Sequence, residues 1–549
     1  MKKLTALLLA VILVFALFAG CNGNTAPSPT PSQTPTQNTS QTPDGETPDL
    51  DEPVTFPLVD RPRKFTKFCR MDPQGAAALT TYAENMYWKE MEKLTNVSFE
   101  WIQPMSTAAT EAFNLMLASQ VYDDVIYAFQ YFYANGIDDA IDNEIIHSLN
   151  DYMQYMPNMN ALLRADESYM LQAVTDMGNL WGFQCILLEE QGPWGGLVLR
   201  EDLLQKFGMS TPETYSDLED YLVECRDQEG MIDGPFRLAT YNASYMNSIN
   251  SGFNIGSTLA PFTCIDGKAT LFVTEPAYRE YVELLRDWFS KGLVQQDYYT
   301  VTGASTAVPD MAAGKIALVD NTWDLTSFET SLPAPMVVKA TSNPVRNSGE
   351  VAHIRQSNPT VRIDHADVVS THVTAPEDII VLCKFYDYMF SEEGAKLANW
   401  GIEGETFVYN SEGKPEYTEL IMNNPDGLSF LGANVVYLGG RNMPGIYEWR
   451  RELTESATNC MDTWFNANDD WIFPMAATMT AAEGQEYALI FSECQTYILE
   501  KVTSFIIGSS PMDEWDEFLQ QLENMNLDRC TEIKQASLDR YFGRLDNLG

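Results

Sequence analysis

The sequence predicts an α/β fold from the spacing of its apolar residues and the order of the elements they form, and its length indicates more than one domain-sized unit. Apolar residues alternate between strand-like and helix-like spacing from about residue 65 to 128, in the order strand, helix, strand, helix, strand. That order is typical of a parallel sheet with right-handed crossovers. The chain of 549 residues is too long for one core and corresponds to about three domain-sized units, or equally to two large lobes.

The N-terminus predicts export. A positive start, an apolar run over 4–18 and two small residues precede Cys21. This pattern predicts a signal peptide over 1–20 and a bacterial lipobox, in which Cys21 is lipidated and carries palmitate. Phe18 stands where Leu is usual, and a plain cleaved signal peptide is the alternative. We therefore expect a protein at the cell membrane, lipid-anchored on the extracellular side and touching the membrane through its lipid only.

Residues 21–56 form the next segment, which is rich in Pro, Thr and Ser. Its low apolar content cannot offset the entropy of ordering, so it is predicted to be a disordered tether. No later run reaches the roughly 20 apolar residues that a membrane span needs.

The first folded region contains the alternating elements. We predict strands at 65–69, 97–101 and 124–128, with helices through Tyr87 and through Phe113. In parallel sheets the ligand crevice lies beyond the carboxyl ends of the strands. After the third strand this position is occupied by Phe129 and Gln130, which become candidate site residues.

A second α/β region and a helical C-terminal part follow. Their predicted elements are a strand at 197–199, a helix at 202–207, helices opened by Thr214 and Thr274, a strand at 316–319 ending beside Asp320 and Trp323, a helix at 377–399, and helices opened by Thr480 and marked by Trp515. Residues 331–369, with only short apolar runs, are predicted to be a surface connection.

The net charge limits the kinds of ligand that we expect, and the cysteine spacing bears on metal sites and disulfides. The 34 basic and 77 acidic residues give −43, which excludes nucleic acid as a partner and disfavours a polyanionic ligand unless local Arg side chains offset the field. Besides Cys21, the chain has eight cysteines without a short-spaced zinc pair. Free buried thiols are favoured over disulfide bridges.

Several motifs together resemble a known family. They occur in order at 117–126, 149–158, 178–182, 387–394, 400–405, 413–415, 505–508, 515–516 and 539–541. The pattern resembles large extracellular solute-binding lipoproteins of bacterial ABC importers, of the carbohydrate-binding type that includes alginate-oligosaccharide-binding proteins. The chain departs from that pattern at Gln120, Val121 and Asp123, so no relative's substrate is carried over.

The resemblance implies a two-lobed, type II periplasmic-binding-protein-like fold with the ligand cleft between the lobes. We expect lobe one to comprise 57–170 and 335–395, and lobe two 171–334 and 396–549. The implied function is capture of a solute, expected to be an oligosaccharide, by lobe closure and its delivery to ABC permease subunits, without catalysis. A surface polysaccharide-degrading enzyme and a receptor for peptides or other small solutes remain alternatives.

Sugar sites need flat aromatic rings and planar polar side chains. Besides Phe129 and Gln130, the candidates are Trp181, Trp194, Trp323 and Trp400 as platforms and Asp320, Glu403 and Arg441 as hydroxyl partners.

No catalytic motif or cofactor site is predicted. The acidic residues are too numerous for a carboxylate pair to indicate a glycosidase. Residues 364–367 could suggest a metal site around His365, and 466–470 could suggest calcium, but exposed loops are favoured at both places.

Overall fold

The structure is a computed structural model that describes residues 55–193, 195–238, 248–257, 260–300, 307–322, 325–356, 359–439, 443–452 and 454–544. The predicted signal peptide at 1–20, Cys21 and most of the predicted tether lie outside these ranges. Within them, no helix is both long enough and apolar enough to cross a membrane.

The described residues form a mixed helix and strand architecture. The strands are β1 Arg63–Phe68, β2 Val97–Ile102, β3 Val125–Tyr127, β4 Phe183–Ile186, β5 Gly196–Arg200, β6 Phe236–Arg237, β7 Phe262–Ile265, β8 Lys268–Leu271, β9 Leu318–Thr322, β10 Val338–Thr341, β11 Val361–Val369, β12 Phe407–Tyr409, β13 Pro415–Tyr417 and β14 Gly445–Ile446. The helices are α1 Pro73–Ala78, α2 Met86–Thr95, α3 Ala109–Ser119, α4 Phe129–Phe132, α5 Ile137–Asp142, α6 Pro157–Ala165, α7 Glu167–Ala173, α8 Glu201–Phe207, α9 Tyr215–Glu229, α10 Pro276–Ser290, α11 Ala307–Ala312, α12 Thr326–Ser331, α13 Pro376–Tyr388, α14 Glu392–Trp400, α15 Glu419–Met422, α16 Phe430–Tyr437, α17 Glu455–Trp464, α18 Ala481–Ile506, α19 Trp515–Asn524 and α20 Leu527–Gly543.

The first sheet has six strands in the order β14-β4-β11-β3-β1-β2. β1 lies parallel to both β2 and β3, which confirms the predicted parallel arrangement. The alternation of Val97, Phe99 and Trp101 predicted β2, and there Val97 and Phe99 are buried while Trp101 stays half-buried. The carboxyl ends of these three strands therefore meet at one edge of the sheet.

The second sheet has four strands in the order β10-β5-β9-β6. β5 is antiparallel to β10 and β9, whereas β6 is parallel to β9. The helix that flanks it, α9, begins with the predicted capping box of Thr214 and Asp217, and α8 ends at Gly208 with a φ of 69°. The left-handed backbone conformation of this cap costs little conformational energy at glycine, because glycine has no Cβ.

The predicted surface connection at 331–369 is wrong. It contains β10 and the nine-residue β11, which runs antiparallel between β3 and β4 in the middle of the first sheet. The charged residues of β11 hid its strand pattern. In the fold they are paired rather than solvated: Arg362 binds Asp364, and Asp367 binds Lys67 of β1.

Two helix boundaries also differ from the predictions. The single helix predicted at 377–399 is two helices, because the chain turns after Tyr388 and the Ser391 side chain caps α14 by accepting from Gly394 N. The N-cap of α10 is Glu275 rather than Thr274, with Pro276 at the first helical position.

Three strands lie in a different sheet from the one that the predicted lobe boundaries imply. β4 and β14 lie in the first sheet and β10 in the second. These strands have two to four residues each and end where the chain crosses between the sheets, at 187–195, 342–360 and 447–454. Strands this short give little pattern to read. The eight cysteines in the described chain are free thiols, six of them buried.

Candidate ligand-binding site

A cavity of about 420 Å³ opens at the carboxyl edge of the first sheet. It lies where β1, β2 and β3 end and where β11 passes in the opposite direction. Its lining residues are Lys67, Cys69, Arg70, Asp72, Tyr82, Asn85, Trp88, Trp101, Ser106, Tyr127, His365, Val435, Gly439, Met443 and Pro444. We call it the first cavity.

Four half-buried aromatic rings line the first cavity: Tyr82, Trp88, Trp101 and Tyr127. Trp101 lies at the end of β2 with its ring centroid 4.9 Å from that of Trp88 and 5.6 Å from that of Tyr82. These edge-to-face contacts fix the three rings against each other. The wall is therefore a rigid aromatic surface with room beside it.

A buried ion pair lies beside this wall. Lys67 pairs with Asp367 of β11, and their side chains are 3% and 0% exposed. The Lys67 ammonium also contacts Tyr386 Oη at 3.1 Å and lies 5.0 Å from the ring centroid of Trp88 and 5.5 Å from that of Trp101. Such a cation over aromatic rings is attracted by their quadrupoles, so this pair holds β1, β11 and the rings together.

Asn85 fixes the opposite wall. It is the N-cap of α2, where its side-chain oxygen accepts a hydrogen bond from Trp88 N at 3.0 Å. Its Nδ2 donates to the carbonyls of Val435 and Leu438, both at 2.7 Å. One buried amide therefore ties the helix that carries Trp88 to the end of α16.

His365 brings a second polar group to the cavity. Arg362 lies 3.2 Å from its Nε2, and its Nδ1 has no hydrogen-bond partner in the described structure. Burial lowers the pKa of His365 to about 4, so the imidazole is neutral at pH 7. Burial alone would raise the pKa of Asp364, but the Arg362 guanidinium lowers it below its usual value. The imidazole thus belongs to the cavity lining as a neutral ring whose Nδ1 is buried.

Cys69 and Arg70 follow directly after β1. Burial raises the pKa of the Cys69 thiol to about 12, which leaves it protonated and unsuited to nucleophilic chemistry at neutral pH. The Arg70 guanidinium lies 5.0 Å from the ring centroid of Tyr131. The first cavity thus offers rings, a neutral imidazole and a guanidinium, which is a binding rather than a nucleophilic set of groups.

A second cavity of about 490 Å³ lies beyond the end of β4, next to the crossing segments. Its lining includes Glu189, Glu190, Asp469, Phe473 and Tyr541. Arg355, whose side chain is 1% exposed, forms ion pairs with Glu190 and, at 3.3 Å, with Asp469. This guanidinium therefore joins the crossings at 187–195 and 342–360 to the segment that follows α17.

The structure places the predicted site residues in several environments. Phe129 is fully buried between Phe113 and Tyr133, with ring centroids 5.6 and 5.1 Å away, so it is a core residue. Gln130 and the buried Trp181 line a small void of about 30 Å³ rather than either large cavity.

The other candidates are also dispersed. Asp320 is buried within β9 and accepts a hydrogen bond from Ser248 Oγ. Trp400 donates to Glu448 at 2.9 Å from the end of α14, and Glu403 is an exposed residue of the turn that follows it. Trp194, Trp323 and Arg441 lie outside the described residues.

The strand-end rule indicated the correct edge of the sheet but was applied to one strand only. Ala128 has a φ of 54°, and α4 starts directly after it, which turns Phe129 into the core. Applied to β1, the same rule would have indicated Arg70; Trp101 is the last residue of the strand predicted at 97–101. Lys67 gave no usable signal, because its partner Asp367 is distant in sequence, and His365 lies in the segment that was predicted to be a surface connection.

The possible metal sites are occupied by protein contacts. Asp469 pairs with Arg355, Asp470 lies 3.1 Å from His353 Nδ1, and Asn466 bonds the backbone at Asn343. Among the described residues, no group of three or more His, Cys, Asp and Glu side chains is arranged to hold a metal ion.

Comparisons with known proteins identify the fold. No protein-family model and no curated protein sequence matches the chain. An extracellular solute-binding protein from Bifidobacterium longum subsp. infantis is 18% identical, with 88% of this chain and 98% of the other covered at a TM-score of 0.70. The chain has the fold of the ABC-transporter solute-binding proteins.

Two further structures show the same solute-binding-protein fold. The S. pneumoniae ABC-transporter substrate-binding protein FusA, in complex with kestose, is 18% identical over 88% of this chain and 100% of its own, with a TM-score of 0.65. The alginate-binding protein AlgQ2, solved without calcium ion, is 18% identical over 88% and 99%, with a TM-score of 0.63. The predicted α/β, two-lobed fold is therefore confirmed.

Proposed function

We propose that this protein is the substrate-binding component of an ABC importer and that it captures an oligosaccharide in the cleft between its lobes. The observation that supports this most directly is the first cavity, an open space of about 420 Å³ with four half-buried rings at the edge of the first sheet where the parallel strands β1, β2 and β3 end. Sugar rings have apolar faces that stack on such aromatic surfaces.

Polar groups next to the rings suit the hydroxyls of a sugar. His365 on the lining is a neutral imidazole whose Nδ1 is buried, so the ring adds no charge beside the sugar. Ser106 adds a hydroxyl on the lining. The proteins of this fold named above include one in complex with kestose and one named for alginate binding.

The crossing segments suit capture by closure. Three of them join the two sheets, and Arg355 links two of these. A ligand that contacts both lobes favours the closed state by its differential affinity for that state. Delivery to ABC permease subunits and an extracellular position, anchored to the cell membrane through lipid at Cys21, complete the proposal.

The proposed protein is a receptor and not an enzyme. The groups around the first cavity support binding: the Cys69 thiol stays protonated, and the acidic groups nearby are held in structural contacts such as Asp367 with Lys67. A surface polysaccharide-degrading enzyme and a receptor for peptides or other small solutes are the alternatives that the experiment below separates.

The test is a thermal-shift screen of the full-length protein against oligosaccharides and peptides, followed by mass analysis of the recovered ligand. A ligand that binds only the folded state raises the melting temperature by mass action. We expect one group of oligosaccharides to raise it by several degrees and to be recovered intact. Cleaved glycans would favour the enzyme, and shifts with peptides alone would favour the peptide receptor.

Matched variants locate the site. Trp101→Ala removes a ring from the first cavity and is expected to weaken the binding of that oligosaccharide about tenfold or more. Trp400→Ala is the control, since Trp400 does not line either large cavity. Equal losses in both variants would refute the assignment of the first cavity.

A further inference from the structure

Arg70 differs from most arginines of this acidic chain. With 77 acidic and 34 basic residues, an arginine side chain usually lies close to a carboxylate. Arg200 pairs with Asp202 and Arg362 with Asp364, at 2.5 and 2.9 Å. Within the described ranges Arg70 has no carboxylate oxygen within 4.0 Å, although it is half-buried and lines the first cavity.

The Arg70 side chain is nevertheless held in place. Its guanidinium lies over the ring of Tyr131, 5.0 Å from the centroid, and its backbone follows β1 at the strand's carboxyl end. A guanidinium on an aromatic face keeps its N–H groups, which point outward in the plane of the fork, free for a further acceptor. Arg70 therefore has a fixed position and unused donors.

The other charged groups of the cavity are committed to protein contacts. Lys67 is neutralised by Asp367, and Asp72 accepts from Gly75 N at 2.7 Å as the N-cap of α1. Burial keeps His365 neutral at pH 7. Arg70 is thus the group of the lining whose charge has no partner in the described structure.

We propose that Arg70 binds the carboxylate of an acidic sugar residue, a uronate, within the oligosaccharide that occupies the first cavity. The inference rests on the proposed function and names its substrate class. A guanidinium matches a carboxylate bidentately, with two parallel charge-assisted hydrogen bonds. The rings of Trp101 and Tyr127, on the same lining, offer surfaces for the sugar ring.

The net charge of −43 does not prevent this binding. At physiological ionic strength the Debye length is about 8 Å, so the repulsion from distant surface carboxylates is largely screened. A guanidinium inside a cleft with low-dielectric walls is screened much less. The local field of Arg70 therefore determines whether the site prefers acidic or neutral sugars.

The test measures affinities of the full-length protein by calorimetry. The probes are trimers of uronic acids from alginate and from pectin, each beside the same trimer after its carboxyl groups have been reduced to neutral alcohols. We expect at least one uronate trimer to bind at least tenfold more tightly than its reduced form, as a charge-assisted bidentate pair provides.

Variants assign that preference to Arg70. Arg70→Gln should abolish the difference between acid and reduced trimers, and Arg70→Lys, which keeps the charge but loses the fork, should retain part of it. Arg61→Gln is the control, because Arg61 is exposed and does not line the first cavity. It should keep the full preference.

The possible failures are distinguishable. Neutral oligosaccharides that bind as well as the uronates, or Arg70→Gln with the acid preference intact, would overturn the role of Arg70 and leave the oligosaccharide receptor standing. If no saccharide in this experiment or in the thermal-shift screen binds, the proposed function fails as well.

Discussion

Replacing Lys67 by Met should destabilise the protein by about 3–5 kcal/mol, because it leaves the Asp367 carboxylate buried without its partner. The two side chains are 3% and 0% exposed, so the Asp367 carboxylate has little contact with water to offset the lost ammonium. Met retains the apolar stem against the surrounding rings, which isolates the effect of the charge. The measurement is urea denaturation followed by tryptophan fluorescence, since Trp88 and Trp101 lie 5.0 and 5.5 Å from the Lys67 ammonium.

A second variant and a control variant test whether the unpaired charge causes this loss of stability. Lys67→Met combined with Asp367→Leu removes both charges and should recover most of the loss, as apolar replacements of buried pairs usually do. Lys64→Met, on the same strand, breaks an exposed pair with Glu100 and should cost no more than about 1 kcal/mol. A loss below about 1 kcal/mol in Lys67→Met, or a double variant as unstable as the single one, would refute the reasoning.

Three further predictions concern other contacts. Asn85→Ala removes a helix cap and two buried hydrogen bonds and should cost about 2–4 kcal/mol in urea denaturation, whereas the exposed Asn143→Ala should cost under about 1 kcal/mol. In the folded protein the pKa of His365 is lowered to about 4. Between pH 6.5 and 4 the unfolded protein therefore binds more protons at this residue than the folded protein does. The free energy of unfolding should fall by about 3 kcal/mol as the pH decreases through that window. His365→Gln should flatten this slope and the exposed His372→Gln should not; equal slopes in both would contradict the assignment. Arg355→Gln should lower the free energy of unfolding by only about 1–3 kcal/mol, because the carboxylates of Glu190 and Asp469 remain accessible to water. A loss as large as that of Lys67→Met would contradict this prediction.

The sequence was informative where local pattern and tertiary environment agree. The alternation that predicted β2 and the capping box that predicted α9 are local signals, and both elements are in the structure. β11 was missed because its polar residues lower the apolar content of the strand, and only the folded sheet brings Lys67 next to Asp367. Such pairs cannot be read from one segment.

The candidate site was predictable at the level of the sheet edge but not of most side chains. The strand-end rule depends on topology, which the alternating elements revealed. Which side chain enters the cleft depends on single dihedral angles, as at Ala128, and on neighbours from α16 that lie far along the chain. Trp101, by contrast, could have been predicted as a site residue, since it ends a predicted strand.

The central position of β11 has a consequence for biosynthesis. β3 and β4 both pair with β11, which leaves the ribosome only after every strand of the second sheet has been made. Until then the first sheet has two unpaired strand edges, the kind of surface that joins other chains. The sheet that begins first is therefore completed after the second sheet, and a chain that stops before Val361 keeps these edges open.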